Sequence, residues 1–282
     1  MTLATDLLAQ VDHIRQVLPL PAIARLYFPT LQTDGEYRDE FGFVFLESGD
    51  IGAFYVSLED TLPELWRQFP NPEQASLPLD VLLGKLQAPD LASRALGLGA
   101  FNALSQHVLR LGGCKLSQHR NHDRDNLPVP VGKVGMVGYF CPVIDRLTEQ
   151  GIAVLVLEKV PQRVPTRPLV SVTTNPLDLA SCDEVMCTAS TLINDTLDGI
   201  LEACGHVPDF SLIGPSAGGL PDVVFARGVE EVGATVYPDR EKLLYLLANQ
   251  DSWGKAGQKY RIRRADYPGL ETLLQRAATV RS

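Results

Sequence analysis

Two short apolar runs, each emptying into a small hydroxyl-rich turn, constrain this chain most. Glu184-Val185-Met186-Cys187 leads into Thr188-Ala189-Ser190-Thr191-Leu192-Ile193-Asn194. Phe210-Ser211-Leu212-Ile213 leads into Gly214-Pro215-Ser216-Ala217-Gly218-Gly219. A helical pattern from Leu192 to Ala203 joins them. The order strand, loop, helix, strand, loop belongs to a parallel α/β sheet, where ligands sit beyond the carboxyl ends of the strands. Small residues let the backbone approach a ligand, and hydroxyls and amides offer neutral hydrogen bonds.

The alternation extends both ways. Lys133 to Val137 reads as a strand, and Pro142 to Gln150 as a helix with proline in its first turn. Ile152 to Leu157 is a continuous apolar strand of the buried parallel kind. Ala234 to Tyr237 reads as a further strand and Arg240 to Ala248 as a helix. Residues 132–282 therefore form a Rossmann-like parallel-sheet domain. The basic stretch Gly254 to Arg264 reads as a solvated face.

Residues 1–116 follow another pattern. An amphipathic helix carries Leu7, Leu8, Val11, Ile14 and Leu18 on one face. The runs Ile23 to Phe28, Glu40 to Leu46 and Ile51 to Val56 suggest an antiparallel meander. Helical patterns follow at Pro63 to Phe69 and Asp90 to Leu111, with Asp90 as cap and Gly112-Gly113 as stop. Strands followed by helices imply an α+β domain. Residues 117–131 (SQHRNHDRDNLPVPV) are polar, proline-containing and without apolar period, and read as a linker.

A chain of 282 residues with 45% apolar and 21% charged residues can bury a full core. Its net charge of −9 argues against nucleic acid or an anionic membrane as partner. No apolar run approaches a membrane span, and the N-terminal stretch lacks the basic start and cleavage site of a leader. Five cysteines without paired spacing point to reduced thiols and a cytoplasmic setting.

Several constellations bear on chemistry. Gly135-Met136-Val137-Gly138 follows a strand, and Glu158 ends the next one, where a dinucleotide site places an acid on ribose hydroxyls. The full G-x-G-x-x-G is missing, and Tyr139, Phe140, Cys141 and Pro142 fill the turn. A nucleoside-like ligand suits this better than a dinucleotide; otherwise the glycines only shape a turn. Gly214 to Gly219 offers backbone N–H groups to an anion but lacks the lysine of a P-loop. Ser216 is not in a G-x-S-x-G elbow, and reads as a ligand-contacting or turn-capping hydroxyl. His119, His122, Asp123 and Asp125 are metal-type ligands inside the linker, where polar residues gather anyway. Cys182 and Cys187 lack a C-x-x-C partner, and Cys141 sits beside a helix start. In Leu96-Gly97-Leu98-Gly99-Ala100-Phe101-Asn102-Ala103, two glycines inside a helix each cost about 1 kcal/mol against alanine. Either close packing against the meander explains them, or Asn102 is brought to the domain interface as a polar contact.

Together these stretches resemble the putative heavy-metal chelation family of unknown function, in which an enolase-N-terminal-like α+β domain precedes a Rossmann-like domain. The matching residues are Gly135 to Phe140, Glu158-Lys159-Val160-Pro161, Thr188 to Leu197, Ile213-Gly214-Pro215-Ser216 and, upstream, Ala95 to Ala103. Ala189-Ser190-Thr191 departs from the family's Gly-Thr-Thr character but keeps the hydroxyls, and Cys141-Pro142 stands where proline would follow Phe140 directly.

The resemblance implies a small-molecule site between the two domains, lined by Gly138, Tyr139, Phe140, Glu158, Thr188, Ser190, Thr191, Asn194, Gly214, Ser216 and Asn102. It implies the handling of a divalent or heavy metal ion or a metal chelate. The alternatives are a nucleoside-cofactor-dependent, methyltransferase-like enzyme and a non-catalytic small-molecule binder. The residues assign no reaction and leave homo-oligomerisation open.

Overall fold

The computed structural model describes residues 2–31, 39–74, 77–118, 132–205 and 207–281. Helix α1 (Leu3–Val17) starts at Thr2, whose side chain accepts from the Thr5 N–H, and buries Leu7, Val11 and Ile14. Strands β1 (Ile23–Tyr27), β2 (Phe41–Leu46) and β3 (Ile51–Tyr55) form the expected antiparallel meander in the order β1-β2-β3. Helices α2 (Thr61–Gln68), α3 (Leu79–Gly84) and α4 (Leu91–Leu111) follow. Asp90 caps α4 through a 2.8 Å bond from the Ser93 N–H. The glycines of α4 serve close packing. A side chain at Gly99 would strike the Phe54 ring, and one at Gly97 would strike the backbone of Leu86.

The second sheet contains β4 (Ser117–Gln118), β5 (Lys133–Val137), β6 (Ala153–Leu157), β7 (Val170–Thr173), β8 (Glu184–Thr188), β9 (Asp209–Ile213), β10 (Glu231–Val236) and β11 (Gln258–Arg263). Their order is β4-β11-β10-β9-β8-β5-β6-β7. Strands β5 to β10 run parallel, while β11 and β4 are antiparallel at one edge. Taken in chain order, the six parallel strands lie 3-2-1-4-5-6, the Rossmann arrangement. Helices α5 (Cys141–Glu149), α6 (Leu197–Cys204), α7 (Asp222–Phe225), α8 (Arg240–Ala248) and α9 (Leu270–Arg281) complete the chain.

The structure revises three local expectations. The helix expected from Leu192 begins at Leu197, because 189–192 form a 3₁₀ turn and Asp195 takes a left-handed φ of 57°. The basic stretch expected to be a solvated face is largely strand β11; Arg261 and Arg263 both pair with Glu231, at 2.8 and 3.1 Å. Ser117 and Gln118, assigned to the linker, pair with β11. The remainder of that stretch, with His119, His122, Asp123 and Asp125, lies outside the described residues.

Apolar contacts cross between the two sheets. Phe41, Phe43 and Phe45 of β2 pack with Tyr237, Leu243, Leu246 and Leu247 from the second half of the chain. The Phe43 and Tyr237 rings stand edge to face at 5.2 Å. The opposite face of the meander lies on α4, where Phe54, Leu96, Leu98 and Phe101 join one large core. This packing sets the meander beside the carboxyl ends of β9 and β10.

Candidate functional site

The crevice at the strand ends

Strand order reverses between β5 and β8, so the chain leaves these neighbours toward opposite sides of the sheet. The loops after them, 138–140 and 188–194, flank the crevice where open α/β sheets bind ligands. Gly138 turns sharply at a φ of +83°, which a side chain would strain, and its backbone packs against the Thr188 side chain. The ladder runs one residue past each strand. Gly138 N–H donates to Leu157 C=O (3.0 Å), Glu158 N–H to Thr173 C=O (3.1 Å) and Gly214 N–H to Gly233 C=O (2.9 Å). The loops therefore leave the sheet from bonded positions.

The nominated residues divide by exposure. Gly138, Tyr139, Phe140, Glu158, Thr188, Ser190, Asn194 and Gly214 are partly exposed. Glu158 has one hydrogen-bond partner of its own loop, the Val160 N–H, at 3.3 Å. Thr188 shapes its turn by accepting from the Ser190 N–H (3.3 Å) and, through its carbonyl, from Thr191 Oγ1 (2.7 Å). Asn194 Oδ1 accepts from Thr196 Oγ1 at 2.6 Å.

Thr191, Ser216 and Asn102 are instead buried. Thr191 lies 3.5 Å from Cys187 Sγ, whose thiol is pushed up to about 12 by burial. Ser216 Oγ accepts from the Tyr55 N–H at 2.9 Å, and its carbonyl accepts from Asn102 Nδ2 at 2.9 Å. Asn102 Nδ2 also donates to Ala53 C=O at 2.8 Å. Asn102 thus bridges β3 and the loop after β9 as a polar contact, while the glycines beside it serve packing. Gly135, in mid-strand, lies against Leu179, Val185 and Cys182 rather than in the crevice.

Sequence reasoning missed a charged group at the start of α5. Cys141 begins α5 and is exposed. Its Sγ lies 3.5 Å from Asp145 Oδ2, one helical turn on. Asp145 Oδ1 pairs with Arg167 Nη2 at 2.7 Å. Burial, and then a hydrogen bond to Cys141, hold the Tyr139 phenol above its ordinary value. The expected helix began at Pro142, so the Cys141–Asp145 spacing fell across its start. The approach of Arg167, from the β6–β7 connection, was not.

Among the described residues no three His, Cys, Asp or Glu side chains converge as a metal cage. A separate open cleft of about 380 Å³, lined by Tyr27, Phe28, Trp66, Pro70, Glu73 and Leu247 among others, shares no residue with the crevice loops.

Similarity to known proteins

Residues 127–265 match the model of the DUF364 family, described as putative heavy-metal chelation. The match covers just under half of the chain. It is similar to an uncharacterized protein of Methanocaldococcus jannaschii, 28% identical over 218 residues, covering 76% of this chain and 82% of the relative. Its fold resembles that of a DUF364 protein of unknown function from Pyrococcus horikoshii (TM-score 0.65, 20% identity, 91% of this chain and 99% of that one). It equally resembles a DUF364 protein from Desulfitobacterium hafniense DCB-2 (TM-score 0.65, 21% identity, 91% and 97%). At these identities the structural likeness establishes the shared fold. No helix among the described residues is long and apolar enough to cross a membrane.

Proposed function

We propose that this protein binds a small metal-chelating molecule, or its metal complex, in the crevice between the 138–140 and 188–194 loops and beside the meander. The observation that carries the reading is the reversal of strand order between β5 and β8, with a hydroxyl-rich turn on one side and a tight glycine turn on the other. Thr188, Ser190 and Asn194 are neutral donors and acceptors suited to an organic ligand. The family description supplies the metal.

Native mass spectrometry of the full chain as purified, with elemental analysis of the same sample, tests this. The expected result is a small molecule released together with metal on denaturation, and lost in Ser190→Trp, which fills the crevice. Retention of the molecule by a folded Ser190→Trp variant would place it elsewhere.

One observation favours a second reading, a nucleoside-cofactor-dependent transferase. Glu158 ends the second strand of the 3-2-1-4-5-6 series, the position that recognises ribose hydroxyls in Rossmann sites. Equilibrium dialysis with S-adenosylmethionine separates the two: saturable binding lost in Glu158→Gln supports the transferase, and absence of binding removes it.

A further inference from the structure

We propose that the cleft between the outer meander strand β1, the 3₁₀ turn Pro72–Gln74 and the end of α8 is a second binding site, for a free small molecule with a quaternary or methylated ammonium head. The cleft shares no residue with the crevice loops, so this inference stands apart from the chelate reading.

Space and shape come first. The cleft holds about 380 Å³, within the range of about 300–1,000 Å³ of small-molecule sites. Phe28 and Leu247 give it buried apolar surface. Trp66 and Tyr27 stand half-buried at its walls. The Trp66 indole N–H donates to the Pro29 carbonyl at 2.8 Å, and the Phe28 ring packs edge to face with the indole at 5.9 Å. The indole is therefore held in place before a ligand arrives, and its one polar group is already used. What remains for a ligand is π surface, which attracts cations.

Charge of one sign comes from separate elements. Glu73 lines the cleft from the 3₁₀ turn, held at 2.6 Å by Arg25, which is not itself a lining residue. Leu247, Ala248 and Gln250 bring the C-terminal end of α8, the negative end of its dipole. The Tyr27 phenol lies in this field. Burial, and then the charges of Glu40 and Glu73, hold it above its ordinary value, so it stays protonated. Arg25 offsets part of the Glu73 charge; Glu40 and the end of α8 add to it.

The combination selects among cations. Among the described residues no three His, Cys, Asp or Glu side chains converge, so a metal ion finds no coordination shell here. A primary ammonium is strongly hydrated and needs several acceptors in exchange for its water. A methylated ammonium sheds water readily and is recognised by aromatic surface together with a diffuse negative field. Half-buried rings beside one carboxylate and one helix end supply that combination.

Choline titrated into full-length protein labelled with ¹⁵N-tryptophan tests the assignment. The chain has two tryptophans, Trp66 and Trp253, and Trp253 belongs to a separate cluster with Phe41 and Tyr237. We expect the Trp66 indole signal to shift saturably while that of Trp253 stays still. The neutral isostere 3,3-dimethylbutan-1-ol should bind at least about threefold more weakly. Ala248 is exposed on the last turn of α8, so charge can be placed there without disturbing the core. Ala248→Glu should tighten choline binding and Ala248→Arg weaken it, each at least about threefold.

An unmoved Trp66 signal, equal binding of choline and the neutral alcohol, or one affinity for both Ala248 variants would overturn the site. Co-sedimentation with phosphatidylcholine vesicles that Ala248→Arg abolishes would also overturn it, by making the cleft a contact for a lipid surface.

Discussion

The backbone N–H of Tyr55, the last residue of β3, donates to Oγ of Ser216, 161 positions later, at 2.9 Å. One hydroxyl thus closes the end of the meander onto the loop after β9. Ser216 is 2% exposed, so no water readily replaces it. Ser216→Ala should cost about 1–3 kcal/mol by leaving the Tyr55 N–H without its acceptor. Urea denaturation measures this; unchanged stability would show that the loop relaxes and re-pairs the amide.

Asn102 makes the companion contact from α4. Its amide nitrogen donates to the carbonyls of Ala53 and Ser216 at 2.8 and 2.9 Å. Asn102→Ala removes both bonds and leaves a void, for a loss of about 2–4 kcal/mol. Asn102→Asp should be worse at neutral pH, since a carboxylate would face two carbonyl oxygens. It should recover part of the loss in mild acid, where a protonated carboxyl donates once. Chemical denaturation at two pH values checks the order, and equal loss for both variants at neutral pH would contradict it.

Asp50 makes stability depend on pH. It is 8% exposed, and burial alone would raise its pKa. Hydrogen bonds from Arg110, His107 and Ser48 outweigh burial and lower it from 3.8 to about 2. The folded pKa lies below the unfolded one, so this stabilisation is present above about pH 4 and is lost as pH falls toward 2. The shift corresponds to about 2 kcal/mol. Asp50→Asn should lower stability at pH 7 and flatten the fall between about pH 4 and 2. An unchanged acid limb in that variant would assign the fall to other carboxylates.

Some elements were legible because their signals are local. Helix α8 spans Arg240–Ala248, as its pattern indicated, and Asp90 caps α4 with its own side chain. Strand β7, Val170–Thr173, went unread because it is an edge strand with little buried surface and so carries no apolar run. Strand β11 was hidden by charge. Tyr260 and Ile262 alternate inward beneath Lys259, Arg261 and Arg263, a period of two that basic composition masked. At the site, the loops and Glu158 were readable from strand ends. The partners of Asn102 were not, because they lie 49 and 114 positions away and only packing of the two sheets brings them together.

The composition of residues 117–131 predicts that limited proteolysis first cuts the chain between His119 and Val131. The cut halves should stay together. Phe43 of β2 packs against Tyr237, and Phe41 against Trp253 at 4.9 Å, so the fragments share buried aromatic surface. Size-exclusion chromatography of the nicked protein should show one species until denaturant is added. Initial cleavage within β5 or β6 would contradict the expected boundary, and spontaneous separation would mean that the shared packing is weak.

Glu158 offers the cleanest separation of binding from stability at the crevice. Its carboxylate accepts from the Val160 N–H at 3.3 Å, a long bond at an exposed position. Surface substitutions away from caps, cores and networks stay within about 0.5 kcal/mol, so Glu158→Gln should barely move the melting temperature. The consequence for a ligand is larger. A carboxylate accepting from a hydroxyl or ammonium forms a charge-assisted bond of about 1.5–3 kcal/mol, which an amide replaces only in part. Retention of the co-purifying molecule should therefore fall at least about tenfold while folding is preserved. Native mass spectrometry and thermal denaturation of the same preparation decide between the roles. A large drop in melting temperature with unchanged retention would make Glu158 a support for the β6 loop and remove it from the site.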